Sequence, residues 1–464
     1  VVNLGAIDWT TTDLALFNTG ATVINTGAFV MSAATTLITA NGGSGNSFTN
    51  VGVFSDAGGG TDVVDAASTL PFTNNTGGII NALSATDKIE FNGTTDLSTT
   101  FASNSHFTGL GTIEIAGAGA TFAGTQNVAS GTTLLLAAGQ FNGSGAQLSG
   151  AATWTGGSFV GTWSVAAGST LTCSGTGCQG FGFNGPSGST FTNNGVINWS
   201  PPAATTIYLS NDATVNNYGT FNVTNDSGLY DGGGGGIFKN YGLFEKTGGT
   251  GTTSIAAVGA YSFVNEASGN VKTMSGTIAF GTGFINNGTL SGIANLTAGT
   301  LTNNGTVFPG DAPGTLTLTG NYVQSASGVL DIGVSNSGSG LLKIIGAASL
   351  GGTLDISCYD SCTFAQGTEL QILSTTQPLI GGFAHIIESG FAGTDTGDFT
   401  LVSGSNGESL LFNDSVSAAP VPLPGSSGLF LTGLGLLGLA ARRRQLNRHS
   451  SLAELSARDG GSLV

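Results

Sequence analysis

The chain has 464 residues, of which 79 are glycine and 27 phenylalanine, with 39% hydrophobic and only 8% charged residues. Disorder pairs low hydrophobicity with high charge, so this is not its signature, and the Thr, Val, Phe, Ile and Asn content favours strands and tight turns over helices. Before residue 420 there are five lysines, no arginine and 24 acidic residues, a net of −19; such a surface repels nucleic acid and anionic lipid, so no nucleic-acid partner is expected.

Residues Val1–Gly5 show no basic region leading into a long apolar run. The expectation is therefore that the sequence begins after a cleaved export signal or is a fragment.

Residues 1–308 repeat one phrase: apolar, any, Asn, any, Gly, any, apolar. It runs Val23-Ile-Asn25-Thr-Gly27-Ala-Phe29 and Phe48-Thr-Asn50-Val-Gly52-Val-Phe54, with a looser copy at Phe72-Thr-Asn74. It returns around Asn193, Asn217, Asn240, Asn265, Asn286 and Asn303, but is lost over 105–190. Units of 17–25 residues are too short to fold alone and must stack on their neighbours. Alternating apolar residues place one strand face inside. Asn and Gly tolerate left-handed backbone and suit the corners, and stacked Asn side chains can form an amide ladder. The expected fold is all-β: a single-stranded parallel β-helix (β-solenoid) with a C-terminal apolar α-helix. Coils about 4.8 Å apart would make roughly 13–14 turns over residues 1 to about 310. A β-sandwich array or a propeller is the rival, and few hairpin turn pairs support either.

From Pro309 the phrase gives way to Gly314-Thr-Leu-Thr-Leu-Thr319, Gly328-Val-Leu-Asp331-Ile332, Gly352-Thr-Leu354-Asp-Ile356 and Gln366-Gly-Thr-Glu-Leu370. This succession resembles the late passenger region of autotransporter-like β-helix proteins. The resemblance implies that residues 309–402 are terminal β coils closing the rod, and it implies no particular substrate. Residues 403–420 are expected to be a linker.

The tail reads Val421-Pro422-Leu423-Pro424, then an almost uncharged stretch Gly425–Ala441, then Arg442-Arg443-Arg444. All five arginines lie in the last 23 residues. A short apolar helix stopped by a basic cluster orients with that cluster in the cytoplasm. Its 17 residues sit at the lower edge of what crosses a bilayer, and the stretch has no polar face to suit a buried soluble helix. Residues 421–444 resemble the PEP-CTERM sorting signal of Gram-negative bacteria, with Leu423 where that family usually has glutamate. The resemblance implies export, recognition by an exosortase-like membrane processing enzyme, and delivery to the cell surface or extracellular matrix. Residues 445–464 would be a polar cytoplasmic tail, longer than the family usually carries.

Four cysteines fall in two close pairs, Cys173/Cys178 and Cys358/Cys362. In an exported chain each pair reads as a local disulfide; a four-cysteine zinc site would need distant segments to meet. Catalytic signals are sparse. Asp62 with Asp65 is expected to be a solvated turn, Glu388, Asp395 and Asp398 a loose acidic cluster, and His106 and His385 ordinary residues without a nucleophile motif. Lys88, Lys239, Lys246, Lys272 and Lys343 are scattered. Gly58-Gly59-Gly60-Thr61-Asp62 resembles a calcium coil only once, and the glycine run 232–236 lacks a phosphate-loop signature. No cofactor or metal is expected. The function expected is that of a structural or adhesive protein, in contact with exopolysaccharide or other surface proteins. A polysaccharide lyase or glycoside hydrolase on the same fold is the alternative.

Overall fold

The computed structural model describes residues 1–413 and 416–417, apart from 13–14, 35–36, 41–43, 66–69, 94–98, 183, 203–204, 256–260, 311, 360–361 and 392–398. The expected sorting signal and C-terminal helix lie outside the described residues, which contain no helix. Strands dominate instead, because apolar and polar residues alternate along them and most inward residues find a hydrophobic neighbour in the coil above and below.

The chain winds as a three-sided parallel coil. On the first side Val2–Asn3 is followed by Thr22–Asn25, Ser47–Asn50 and Phe72–Asn74. On the second side stand Ala6–Trp9, Ala28–Met31, Val53–Asp56 and Ile79–Ala82. The third side is made by Ala15–Phe17, Leu37–Ala40, Gly60–Val64 and Asp87–Gly93. Each strand pairs in parallel with the strand one coil on: Asn25 lies against Asn50, Phe29 against Phe54 and Ile89 against Ile113. Among the described residues the stack makes about 14 turns up to residue 308, and three more third-side strands follow, Val329–Ser335, Thr353–Cys358 and His385–Ser389; at about 4.8 Å per coil this gives a rod on the order of 80 Å.

Inward positions form continuous apolar columns. On the third side Ile113, Leu134, Ala152, Leu171, Ile197 and Phe221 follow one another in register and are all buried. Each large side chain so buried contributes about 1.5–3 kcal/mol. Aromatic rings also stack between coils, as in Phe221 on Phe244 (5.4 Å, 15°) and Phe238 on Phe263 (5.1 Å, 13°).

The asparagines form two buried ladders. In the first, Nδ2 of Asn3, Asn25 and Asn50 donates to Oδ1 of the next asparagine at 2.7–2.8 Å, and Asn74 closes the row on Ser105 Oγ at 2.9 Å. The second runs Asn193, Asn217, Asn240, Asn265, Asn286 and Asn303 at 2.6–2.9 Å. These corners do not depend on left-handed backbone: no ladder asparagine has a positive φ. The phrase glycines serve close approach instead. A Cβ on Gly52 would collide with the carbonyl oxygen of Gly27, and one on Gly219 with that of Gly195.

The two ladders occupy different corners. The first lies where the first side turns into the second. The second lies where the second side turns into the third, because the strand carrying Asn193 continues the second-side column through Trp163–Val165, Leu148 and Gln126 back to Ser105–Phe107. Between the ladders, strands of 10–15 residues such as Gly119–Val128, Gln140–Ser149 and Ala151–Val165 run across the corners. They bend at Gly124, Gly145 and Gly161, with φ of 56°, 65° and 73°.

The end of the stack departs from parallel pairing. Glu369–Thr375 pairs in parallel with the coil before it, then antiparallel with Gly407–Phe412, which forms a hairpin with Phe399–Gly404. Residues 403–412, expected as linker, thus belong to this closing sheet. Leu410 and Phe412 are buried there, which explains why the segment is ordered as strand.

Candidate functional site

The third side presents a run of outward polar residues. In register, Thr153, Thr172, Asn198 and Asn222 give four successive coils of hydroxyl and amide groups. Charges gather toward both ends. Near the start, Lys88 Nζ bridges Glu90 at 3.0 Å and Glu114 at 2.7 Å. Farther along, the column continues through Glu245, Lys272, Ser291 and Phe308.

A groove of about 460 Å³ opens on this side. Its floor is Asn270, Lys272, Thr289, Ser291 and Phe308 of the third-side strands, and Met274, Ile293 and Pro313 wall it where the third side turns back to the first. Ser291 Oγ donates to Asn270 Oδ1 at 2.9 Å. Ile293 lies over Gly310, where a Cβ would strike its Cγ2. One coil beyond Phe308, Asp331 stands in register with Asp355. Burial and then the Asp355 charge push the Asp331 carboxyl up to about 6, and burial raises Asp355 as well.

The sequence-named candidates do not converge. Asp62 is fully buried and points inward, not into a solvated turn, because it occupies an inward position of Gly60–Val64. It hydrogen-bonds Asp56, whose carboxyl is raised by burial and by the charge of Asp87. Backbone amides hold this cluster: Lys88 N and Gly58 N donate to Asp56, and Ser84 N and Gly59 N to Asp87. Asp65 instead accepts from Thr39 Oγ1 at 3.1 Å. Glu388 and His385 lie on the last third-side strand, His385–Ser389, while Asp395 and Asp398 fall outside the described residues. His106 faces outward on the second side beside Asn127. The glycine run 232–236 makes a corner, with positive φ at Gly233, Gly234 and Gly235.

Sequence reasoning missed the interior Lys246, fully buried, whose Nζ donates to Asp226 Oδ1 at 2.8 Å and to two backbone carbonyls. It also missed the Asp331/Asp355 stack, although the shared Leu-Asp-Ile spelling at 330–332 and 354–356 was the available signal. Among the described residues no group of three His, Cys, Asp or Glu side chains is arranged to hold a metal ion.

Cys173 is bonded to Cys178 and Cys358 to Cys362, with Cα–Cα distances of 6.4 and 6.0 Å. All four sulfurs belong to the core; Cys173 sits in an inward column between Trp154 and Trp199. Val421, Pro422, Pro424, Arg442, Arg443 and Arg444 lie outside the described residues. Among the described residues no helix is long and apolar enough to cross a membrane.

The chain is thus a three-sided parallel β-solenoid with disulfide-braced corners and a mixed polar and apolar groove on its third side. No protein-family model matches it, and neither does any curated protein. Among solved structures it is similar to the Hap adhesin of Haemophilus influenzae, at 14% identity and a TM-score of 0.27 over 89% of this chain. The chain spans 59% of the length of that protein. A likeness this loose carries no inference about binding.

Proposed function

We propose that the protein is an exported bacterial surface or extracellular-matrix β-solenoid with a structural and adhesive role, working without a cofactor or catalysis. The observation that carries this reading is the outward register of hydroxyl and amide side chains over four successive coils of the third side, Thr153, Thr172, Asn198 and Asn222. A rod displaying hydroxyl and amide groups over four successive coils offers repeated hydrogen-bonding positions to a long polymer. Two disulfides buried in the core fit an oxidising compartment. The PEP-CTERM-like tail supplies the delivery route: Val421, Pro422 and Pro424 form the box recognised by an exosortase-like enzyme. The apolar stretch 425–441 then holds the chain in the membrane until processing, with Arg442–Arg444 on the cytoplasmic side. The partner at the envelope of a Gram-negative host is exopolysaccharide or another surface protein. Fractionation of the native host, with mass spectrometry of the mature C-terminus, tests this. Loss of the residues after the Pro424 box and recovery in the surface or matrix fraction are expected. An intact chain in the cytosol overturns the reading.

A second reading is favoured by one observation, the Asp331/Asp355 stack. A carboxyl that burial raises to about 6 beside a second carboxyl also raised by burial is the kind of pair a glycoside hydrolase uses as acid and partner. Reducing-sugar release from a polysaccharide panel, lost in Asp331→Asn, would establish this enzyme in place of the adhesive rod.

A further inference from the structure

We propose that the groove between Met274 and Pro313 is a binding subsite for a neutral saccharide chain. Its volume of about 460 Å³ falls within the roughly 300–1,000 Å³ of small-ligand sites. Its lining is divided as a pyranose ring is divided. Met274 (40% exposed), Ile293 (53% exposed) and Phe308 offer apolar surface to the C–H face of a sugar, while Asn270 and Thr289 offer amide and hydroxyl groups to its rim and the buried Ser291 holds the Asn270 amide. The Ser291–Asn270 hydrogen bond uses the amide oxygen, which leaves the Asn270 NH₂ to donate to a ligand.

Charge selects the class of sugar. Lys272 is the single cation of the lining and forms no ion pair among the described residues. Carboxylates bracket it along the column: Glu245 one coil before, and Asp331 then Asp355 after Phe308. A single uronate could meet Lys272, but the neighbouring units of a uronate chain would run onto carboxylates on both sides. A neutral chain meets no such repulsion, and its hydroxyls can donate to Glu245 and Asp331 and accept from Lys272. Nucleic acid is disfavoured by the same bracket. A wholly apolar partner would leave the amide and hydroxyl floor without hydrogen bonds.

The site is tested with the full purified chain on neutral oligosaccharides (glucans, galactans and mannans) and uronate oligosaccharides, titrated at low and high salt. Expected is binding of at least one neutral class with little salt dependence. It should weaken about tenfold or more in Ile293→Ser and in Met274→Ser, both exposed positions that leave the core intact, and stay unchanged in Tyr218→Ala elsewhere on the rod. Salt-sensitive preference for uronates overturns the proposal, as does unaltered affinity in both groove variants. Binding of no saccharide by a chain with native circular dichroism also overturns it. The proposal rests on the adhesive reading only for the class of partner. A chain that binds neutral saccharide but is found in the cytosol would sink that reading and leave this site standing.

Discussion

Asn303 passes the second amide ladder to Tyr322. Its Nδ2 donates to the phenol oxygen at 3.3 Å, and the phenol donates to Gln324 Oε1 at 2.7 Å. The row therefore ends on a fully satisfied buried network, since Gln324 Nε2 donates onward to three backbone carbonyls. Tyr322→Phe would leave the Asn303 amide and the Gln324 oxygen each short of a partner, costing about 1–3 kcal/mol apiece. Hydrogen exchange should show the loss concentrated in residues 300–356, because each coil of a solenoid contacts only its neighbours. Uniform loss along the rod would contradict this. Burial also holds the phenol well above its ordinary range. In the folded protein it should not ionise where free tyrosine does, about pH 10; its stabilisation is intact below that pH and declines above it, where the unfolded chain gains by ionising.

Removal of an inner rung should cost more than removal of a terminal one. Asn240 accepts from Asn217 and donates to Asn265. Asn240→Ala leaves a donor above and an acceptor below unsatisfied, whereas Asn193→Ala, at the rung that Val165 precedes in its column, removes an asparagine partner on one side only. The difference should be about 1–3 kcal/mol in local exchange free energy. Equal costs would mean that the ladder is incidental to stability.

The phrase glycines should be intolerant for a reason other than φ. Gly219→Ala drives a methyl into the carbonyl of Gly195 and must push the adjoining coils away from each other, at about 1–3 kcal/mol. Gly382→Ala has nothing within 4 Å and no positive φ, so its melting temperature should match the parent.

Asp331 predicts a pH trend confined to the last coils. Its folded value of about 6 exceeds the unfolded value near 3.9, so the folded state holds the proton more tightly. That contribution is fully present below about pH 4 and disappears as pH rises through 6. The Asp331→Asn variant should lose this dependence and be the more stable form above pH 6, read as the pH profile of exchange in residues 329–358. A profile identical to the parent would remove the Asp331/Asp355 interaction as its cause.

Much of the architecture was legible in residues 1–308 because a repeated Asn phrase has one economical solution, stacking in register. The site was less legible. Asp62 reads as a turn residue beside four small neighbours, and only the fold shows it facing inward against Asp56. Asp331 and Asp355 lie 24 residues apart, and the shared Leu-Asp-Ile spelling at 330–332 and 354–356 was the signal, unused, that one coil separates them.

What the chain determined by itself is the repeat, the inward alternation of Phe, Val, Ile and Leu, and the asparagine positions, since each follows from local spacing and side-chain chemistry. Tertiary structure alone decided which corner each ladder takes, because the phrase is spelled the same whether it turns the first side into the second or the second into the third. It decided also that residues 403–412 close the stack, since a strand of ordinary alternation becomes a cap only when an open edge such as Glu369–Thr375 is there to pair with it. The groove is of the same kind: Asn270, Ser291 and Phe308 become neighbours through the pitch of the coil, a distance that no single repeat contains.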